Sequence, residues 1–416
     1  MPNLDERHCA RPIPSPPLPC YTTCMTNRAT LLILAALLAA TAPARAGFED
    51  CVSSLRSHAS AKGVSAATFT AATSGLQPNM EILGFLDAQP EFKTPIWDYL
   101  SGLVDDERVA EGRSKLSEYS GAFRQAESRY GVDAATIAAV WGVESDFGKG
   151  FGKRPIVQSL ATLSCFGRRQ PFFRGQFVAA LEILQRGDVR AEDFRGSWAG
   201  AFGHTQFIPT TFLGYAVDMD GDGRRDVIGS VPDALGSTAN YLAKSGWKSG
   251  RPWGFEVRLP EGYSGPSGRT NKQAMSSWAA RGITRLDGRG LGEGHAGLLL
   301  PAGPRGPAFL VTHNFDAIYA YNAAESYGLA IALLSDRLRG GAGMQTPWPN
   351  GDRGLSRAER RELQSLLASR GYDIGNADGA LGAKSRKAIG EYQDSIGMER
   401  NGGASGRLLE ALRKGR

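Results

Sequence analysis

Ala138-Ala-Val-Trp-Gly-Val-Glu144-Ser-Asp-Phe-Gly148 is the stretch from which the rest of the chain is read. Just before it, Asp133 offers a side-chain oxygen where a helix needs an N-cap. The Ala-rich run Ala134–Val143 then carries apolar residues at helical spacing. Glu144 ends this helix, and a lone acid on an apolar helix is expensive to bury. Trp141, Val143 and Phe147 would desolvate it and favour the protonated form that a general acid needs. The same residue also reads as an exposed helix end, the commoner fate of a glutamate. Asp146 is two residues on, roughly the opposite side of a helix, so the two carboxylates are not expected to share one sugar.

Outward from this segment the pattern stays helical from about 47 to 248, with helices expected over Glu111–Tyr130, Gln176–Gln185 and Val231–Lys244. From Trp253 to His313 the character changes. Phe255–Leu259 alternates and Pro307–Val311 is a short apolar run, which reads as short strands between Gly/Pro loops. Asn322–Leu338 returns to helix. The Gly/Pro-dense stretch Gly340–Gly351 marks a linker. The last ~60 residues have the length of a small compact unit, with helices over Ser356–Arg370, Ala383–Asp394 and Ser405–Leu412. The expected division is 1–46, 47–340, a linker 341–354, and 355–416.

The whole chain has 416 residues, 42% of them hydrophobic, and a net charge of +6. At roughly 150 residues per domain this suggests two or three domains. The near-average composition excludes wholesale disorder. The charge is too weak for a nucleic-acid footprint but suits an anionic polymer. Residues 1–24 are Pro-rich. Met25-Thr-Asn-Arg28, the apolar run Leu31–Ala40 and Ala44-Arg45-Ala46 then read as a secretory signal cleaved after Ala46, with Met25 as the start and periplasmic export implied. No cysteine at that cleavage point suggests a lipid anchor. Without residues 1–46 the charge is +4, and of five cysteines only Cys51 and Cys165 remain. An even pair in an oxidising compartment suggests one disulfide, with two separate buried thiols as the other reading.

Several chemistries are absent from the pattern. There is no H-E-x-x-H for a zinc peptidase and no G-x-S-x-G elbow. Gly142–Gly150 has the wrong spacing for a phosphate loop. What remains is a set of segments suited to sugar and cation. Gly196-Ser-Trp-Ala-Gly-Ala-Phe-Gly-His-Thr-Gln-Phe-Ile-Pro209 combines small residues with the amphipathic groups Ser197, Gln206 and Phe207, as a sugar groove requires. It also reads as a tight helix–helix connection. Asp218-Met-Asp220-Gly-Asp222-Gly223-Arg224-Arg-Asp226 opens like an EF-hand loop, whose crowded carboxylates call for a hard cation. Position 12 is Gly229 instead of Glu, and Asp233 is the candidate for the missing oxygen. Calcium is expected over magnesium, since many oxygens converge from a flexible loop. Tyr321-Asn322, with Tyr327 following, offers rings to stack on sugar and an amide to hold an N-acetyl group, or else core packing.

In this order the segments resemble the lytic murein transglycosylase B family (the glycoside hydrolase family 103 type). The resemblance rests on W-G-V-E-S-x-F-G, on Leu160-Ala-Thr-Leu with Arg168-Arg169, on S-W-A-G-A-F-G-H-T-Q-F-I-P-T, on D-x-D-G-D-G with Asp233 to Tyr241, and on Tyr321-Asn322. It spans roughly 49–340. The tail, with Asp378-Gly-Ala-Leu-Gly and Tyr392-Gln393, looks like a small peptidoglycan-binding domain.

The resemblance implies a mainly α (α+β) fold: a lysozyme-like helical catalytic core with an added α region and a small β region, then three C-terminal helices. It implies a cell-wall lyase that breaks the β-1,4 bond between N-acetylmuramic acid and N-acetylglucosamine without water, leaving 1,6-anhydromuramic ends. Carried over, Glu144 is the single acid/base. Arg168, Arg169, Ser197, Gln206, Phe207, Tyr241, Tyr321, Asn322 and Tyr327 bind substrate. Asp218, Asp220, Asp222, Arg224, Asp226 and Asp233 hold structural calcium, with no cofactor needed for catalysis. Ala324 departs from the serine often found there. Peptidoglycan strands are the expected partner of a monomer, with cell-wall synthesis or division proteins as further candidates. A hydrolase of the same glycan and a non-catalytic wall-binding scaffold are the rival readings.

Overall fold

The computed structural model describes residues 47–87 and 94–415. The expected signal segment 1–46 lies outside the described residues.

The helix Ala134–Ser145 is the axis of one hydrophobic core. Asp133 caps it, its carboxylate accepting from Thr136 N at 3.0 Å. Residues Ala135 to Gly142 are all buried, as befits a helix apolar on every face. It packs on Glu325–Leu338, buried from Tyr327 through Ser335. Both helices are rich in Ala and Gly at the contact, which allows a close approach. The single helix expected over Glu111–Tyr130 is in fact two, Asp106–Glu118 and Ser120–Tyr130, broken at Tyr119. The break precedes Ser120-Gly121, two weak helix formers. It turns the second helix onto Val231–Lys244 and leaves the Tyr119 ring edge-on against Trp141, 5.6 Å away.

A second core gathers the helices 47–61, Ala66–Thr73, Ile156–Phe166, Gln170–Arg186 and Pro209–Tyr215 around Phe48, Phe69, Phe177, Phe202 and Phe212. Cys51 and Cys165 are bonded, with Cα atoms 5.9 Å apart, so the first helix is tied to Ile156–Phe166. Tyr241 and Tyr321 pack against both cores and mark the seam between them.

The β region is antiparallel, with strand order β2 (Gln273–Ala274), β4 (His295–Leu299), β5 (Ala308–Val311), β1 (Gly254–Arg258), β3 (Thr284–Arg285). β5 is central and buried at all four positions. Sequence patterning found β1 and β5, but not β4 or the two-residue edge strands, which lie in Gly-rich stretches.

The C-terminal helices Arg357–Ala368, Ala383–Ser395 and Gly406–Arg413 enclose a small core of Leu363, Leu367, Ile389, Leu408 and Leu409. Ser356 and Glu359 form a capping box at the first. The connection 341–354 has no regular structure but is held along its length. Gln345 N and Thr346 N donate to the Glu256 carboxylate, both at 2.8 Å, and Trp348 packs on Trp97. The chain is thus mainly α, with a small sheet and a three-helix C-terminal module.

Candidate active site

Glu144 lies in the last turn of Ala134–Ser145, half-buried. The buried Tyr327 hydroxyl, from Glu325–Leu338, donates to Glu144 Oε1. Burial first, and the Glu144 charge second, push Tyr327 well above the usual tyrosine range, so it stays a donor at any ordinary pH. Tyr321 stacks on Tyr327 with ring centroids 6.2 Å apart and donates to Thr205 O at 2.7 Å. It is pushed up for the same two reasons. Phe207 and Tyr241 continue the aromatic group, 5.6 and 4.8 Å from Tyr321, and Tyr241 donates to Ala320 O at 2.7 Å. Glu144, Phe207, Tyr241, Tyr321 and Tyr327, far apart in sequence, are therefore brought together at the seam of the two cores.

The loop 196–209 is folded on itself. Ser197 Oγ accepts from Ala201 N at 3.0 Å, and Gln206, left-handed at φ 49°, donates to Gly203 O at 2.8 Å. Gly203 is required here, because a Cβ would lie 2.4 Å from Val227 O. Ser197 and Gln206 thus spend polar groups on the loop itself. His204, which sequence reasoning did not single out, bolts this loop to the Glu144 helix. Its Nδ1 accepts from Trp141 Nε1 at 2.9 Å, and its backbone oxygen accepts from Ser145 Oγ at 2.9 Å. Burial lowers His204 to about 4, so it is neutral. Its only signal was its place inside a quoted motif.

Asp146 ends the helix in the left-handed region, and both its oxygens accept from Arg357, at 2.8 and 3.0 Å. Arg108 and Arg357 were also missed, because ion pairs across 38 and 211 residues leave no local pattern. Arg168 and Arg169 are exposed at the joint between Ile156–Phe166 and Gln170–Arg186, with Arg169 over the Phe172 ring. Asn322 is exposed in the turn after Tyr321. A cleft of about 920 Å³ lies elsewhere, between Thr94–Leu103 and the C-terminal module, and Glu144 does not line it. The aromatic and carboxylate chemistry, not cavity size, locates the site.

In the acidic loop, ligand atoms of Asp218, Asp220 and Asp222 lie within 4.8 Å of one another. An all-oxygen set this tight fits a hard cation. Asp226 turns instead to its own loop, accepting from Ile228 N and Gly229 N, while Arg224 pairs with Asp222 at 3.1 Å. Asp233 differs most from expectation. It is buried, and its carboxylate accepts from the amides of Met219, Asp220 and Asp226 at 2.7, 3.2 and 2.7 Å. It closes the loop from behind and is not grouped with the three acids. The reason is position: Asp233 sits in the first turn of Val231–Lys244, under the loop.

Residues 47–336 match the transglycosylase SLT domain family, and 356–412 match a peptidoglycan binding domain family. Membrane-bound lytic murein transglycosylase B of Escherichia coli is 31% identical over 242 residues, 57% of this chain and 65% of that protein. The chain thus spans just under two thirds of that relative. The structure of SltB3 from Pseudomonas aeruginosa with NAG-anhNAM-pentapeptide is similar at a TM-score of 0.71 and 47% identity, covering 88% of this chain and 99% of the other. The Escherichia coli lytic transglycosylase Slt35 in complex with calcium is similar at 0.62 and 27%, covering 71% and 93%.

Proposed function

The chain belongs to the transglycosylase SLT domain family, and from that premise we propose that it is a lytic transglycosylase of peptidoglycan. It cleaves the bond between N-acetylmuramic acid and N-acetylglucosamine and leaves a 1,6-anhydromuramic end. The observation that carries this reading is one carboxylate at the seam, Glu144, held by Tyr327, while the neighbouring acid Asp146 is engaged by Arg357. Glycosidases that deliver water or form a glycosyl-enzyme normally pair two carboxylates. One suffices when the nucleophile belongs to the substrate.

Protonated Glu144 gives its proton to the glycosidic oxygen as the C1–O4 bond breaks. The resulting carboxylate takes the proton of the C6 hydroxyl, whose oxygen closes on C1. The proton returns to Glu144 and no water is consumed. Tyr327 fixes the carboxylate. Tyr241 and Tyr321, backed by the buried Phe207, form the apolar wall of the groove, with Ser197, Gln206, Asn322, Arg168 and Arg169 toward the sugar and peptide. Asp218, Asp220 and Asp222 would hold calcium, with the Arg224 carbonyl as a further oxygen. The ion would supply stability to the loop by neutralising its crowded carboxylates. The C-terminal module binds the wall, and the N-terminal signal directs export to the periplasm. Among the described residues no helix is long and apolar enough to cross a membrane.

Purified sacculi digested by the wild-type chain are expected to release muropeptides of anhydro mass, 18 Da below hydrated ends by the loss of one water. Glu144→Gln should release roughly 10²–10⁴-fold less while melting as the wild type does. Hydrated ends from the wild type would refute lytic cleavage, and an active Glu144→Gln would refute the assignment of the acid.

A further inference from the structure

The helix that carries Glu144 ends in an unusual turn. Asp146 and Phe147 are consecutive non-glycine residues in the left-handed region, at φ 51° and 56°, and Gly148 follows at 92°. L residues adopt this conformation at a cost, so something must hold it. Three tethers do. Ser145 Oγ donates to His204 O at 2.9 Å. The buried Arg108 guanidinium donates to Gly142 O and lies 3.5 Å from Asp146. Arg357 grips both Asp146 oxygens. The first two belong to the catalytic unit. The third comes from the first residue of the first C-terminal helix.

Arg357 is itself fixed in place. Asp105 accepts from Arg108 N at 2.8 Å through one oxygen and from Arg357 N at 3.2 Å through the other, so one buried carboxylate ties both helices. Behind it, the module's turn at Gly379 presses on the Arg357 stem, where a Cβ on Gly379 would be 2.8 Å from Arg357 Cγ. The guanidinium is held by the module and directed at a turn two residues beyond Glu144.

We propose that Arg357 is a positioning residue for the Glu144 chemistry, so that the C-terminal module completes the active site in addition to holding the wall. The inference rests on the function proposed above. Without Arg357, the Asp146 carboxylate is left facing only the more distant Arg108, and the turn keeps the Ser145 tether alone on its other side. The last helical turn can then relax, and the Glu144 carboxylate shifts against Tyr327. Small misplacements of a reacting group slow chemistry more than they weaken binding.

The test uses the full chain and a soluble, peptide-free glycan of a few disaccharides, on which wall anchoring has no part. Arg357→Ala should lower kcat about tenfold with KM within about twofold. Arg357→Gln, closer in size and uncharged, carries the same expectation should the alanine variant not fold. Arg357→Lys should recover part of the loss, since an ammonium lacks the planar fork that meets both oxygens. Arg361→Ala removes another pair across the same interface, with Glu107 at 2.5 Å, and should keep wild-type kcat. Wild-type kcat in Arg357→Ala, or an equal loss in Arg361→Ala, would overturn the proposal. Hydrated ends from the wild type would instead count against the reaction class, and the kcat ratio would still decide the positioning.

Discussion

At the scale of single residues, His204 makes the clearest commitment. Its Nδ1 accepts the Trp141 N–H, so a proton arriving there would set two donors against each other. Folding holds it at about 4, against 6.5 for the free side chain. Between those values the unfolded chain binds more protons than the folded one. Stability from this group is therefore complete above pH 6.5 and falls as the pH drops toward 4, by roughly 1.4 kcal/mol per unit at most. Asp98, pushed up to about 6 by burial, acts with the opposite sign over much of the same window. The difference between two proteins isolates His204. Melting temperature against pH should fall more steeply in the wild type than in His204→Gln between pH 6.5 and 4. Parallel curves would mean that the histidine is not held neutral.

Elements impose a different kind of constraint, which is space. Phe147 folds back so that its ring occupies the room a side chain at residue 142 would take. A Cβ on Gly142 would be 2.7 Å from Phe147 Cζ, and one on Gly112 would be 2.9 Å from it. Ala is the better helix former, yet Gly142→Ala should lose about 1–3 kcal/mol by overpacking. It should also lower kcat, because the displaced ring sits in the turn after Glu144. An alanine variant as stable as the wild type in urea would show that the ring has room to move. The acidic loop is the other element with a checkable requirement. If Asp218, Asp220 and Asp222 hold calcium, the ion at 100 times its Kd should stabilise the chain by about 2.7 kcal/mol. EDTA should reverse the shift in Tm, and magnesium should give less of it. A Tm indifferent to all three would end the calcium proposal.

For the whole molecule, what could be read in advance follows the range of the interactions. The helix that carries Glu144 and the helix Val231–Lys244 are local patterns that stand within a residue or two of expectation, and Asp218, Asp220 and Asp222 lie together in their loop. The mainly α architecture was legible because the motifs come in a recognisable order, and the aromatic rings of those motifs lie together. The split at Tyr119, the strand His295–Leu299, Asp233 turned to its loop amides, and Arg357 on Asp146 were not. Arg357 and the strand are settled by partners outside their own segments, Asp233 by amides 7 to 14 residues away, and the split by the weak helix formers Ser120-Gly121. The connection 341–354 shows the same lesson most plainly. Its composition suggests a free tether, but Glu256 and Trp97 hold it down.

That docking leads to an expectation about unfolding. A helical module of about 60 residues buries too little apolar surface to be more than marginally stable alone. Here it leans on the catalytic unit through Arg357 to Asp146, through Arg361 to Glu107, and through the half-buried Arg360, which donates to Leu355 O and across to Asp98 O. Contacts worth even a few kcal/mol exceed what such a module has on its own. It should therefore not unfold before the unit it leans on. Calorimetry of the full chain should show one transition, with calorimetric and van't Hoff enthalpies in agreement. Arg360→Ala strips a donor from the Asp98 and Leu355 carbonyls, at about 1–3 kcal/mol. It should bring out a separate, earlier melt carrying the smaller share of the enthalpy. Two transitions already in the wild type would mean that the interface is a resting contact, and that the module moves independently of the site.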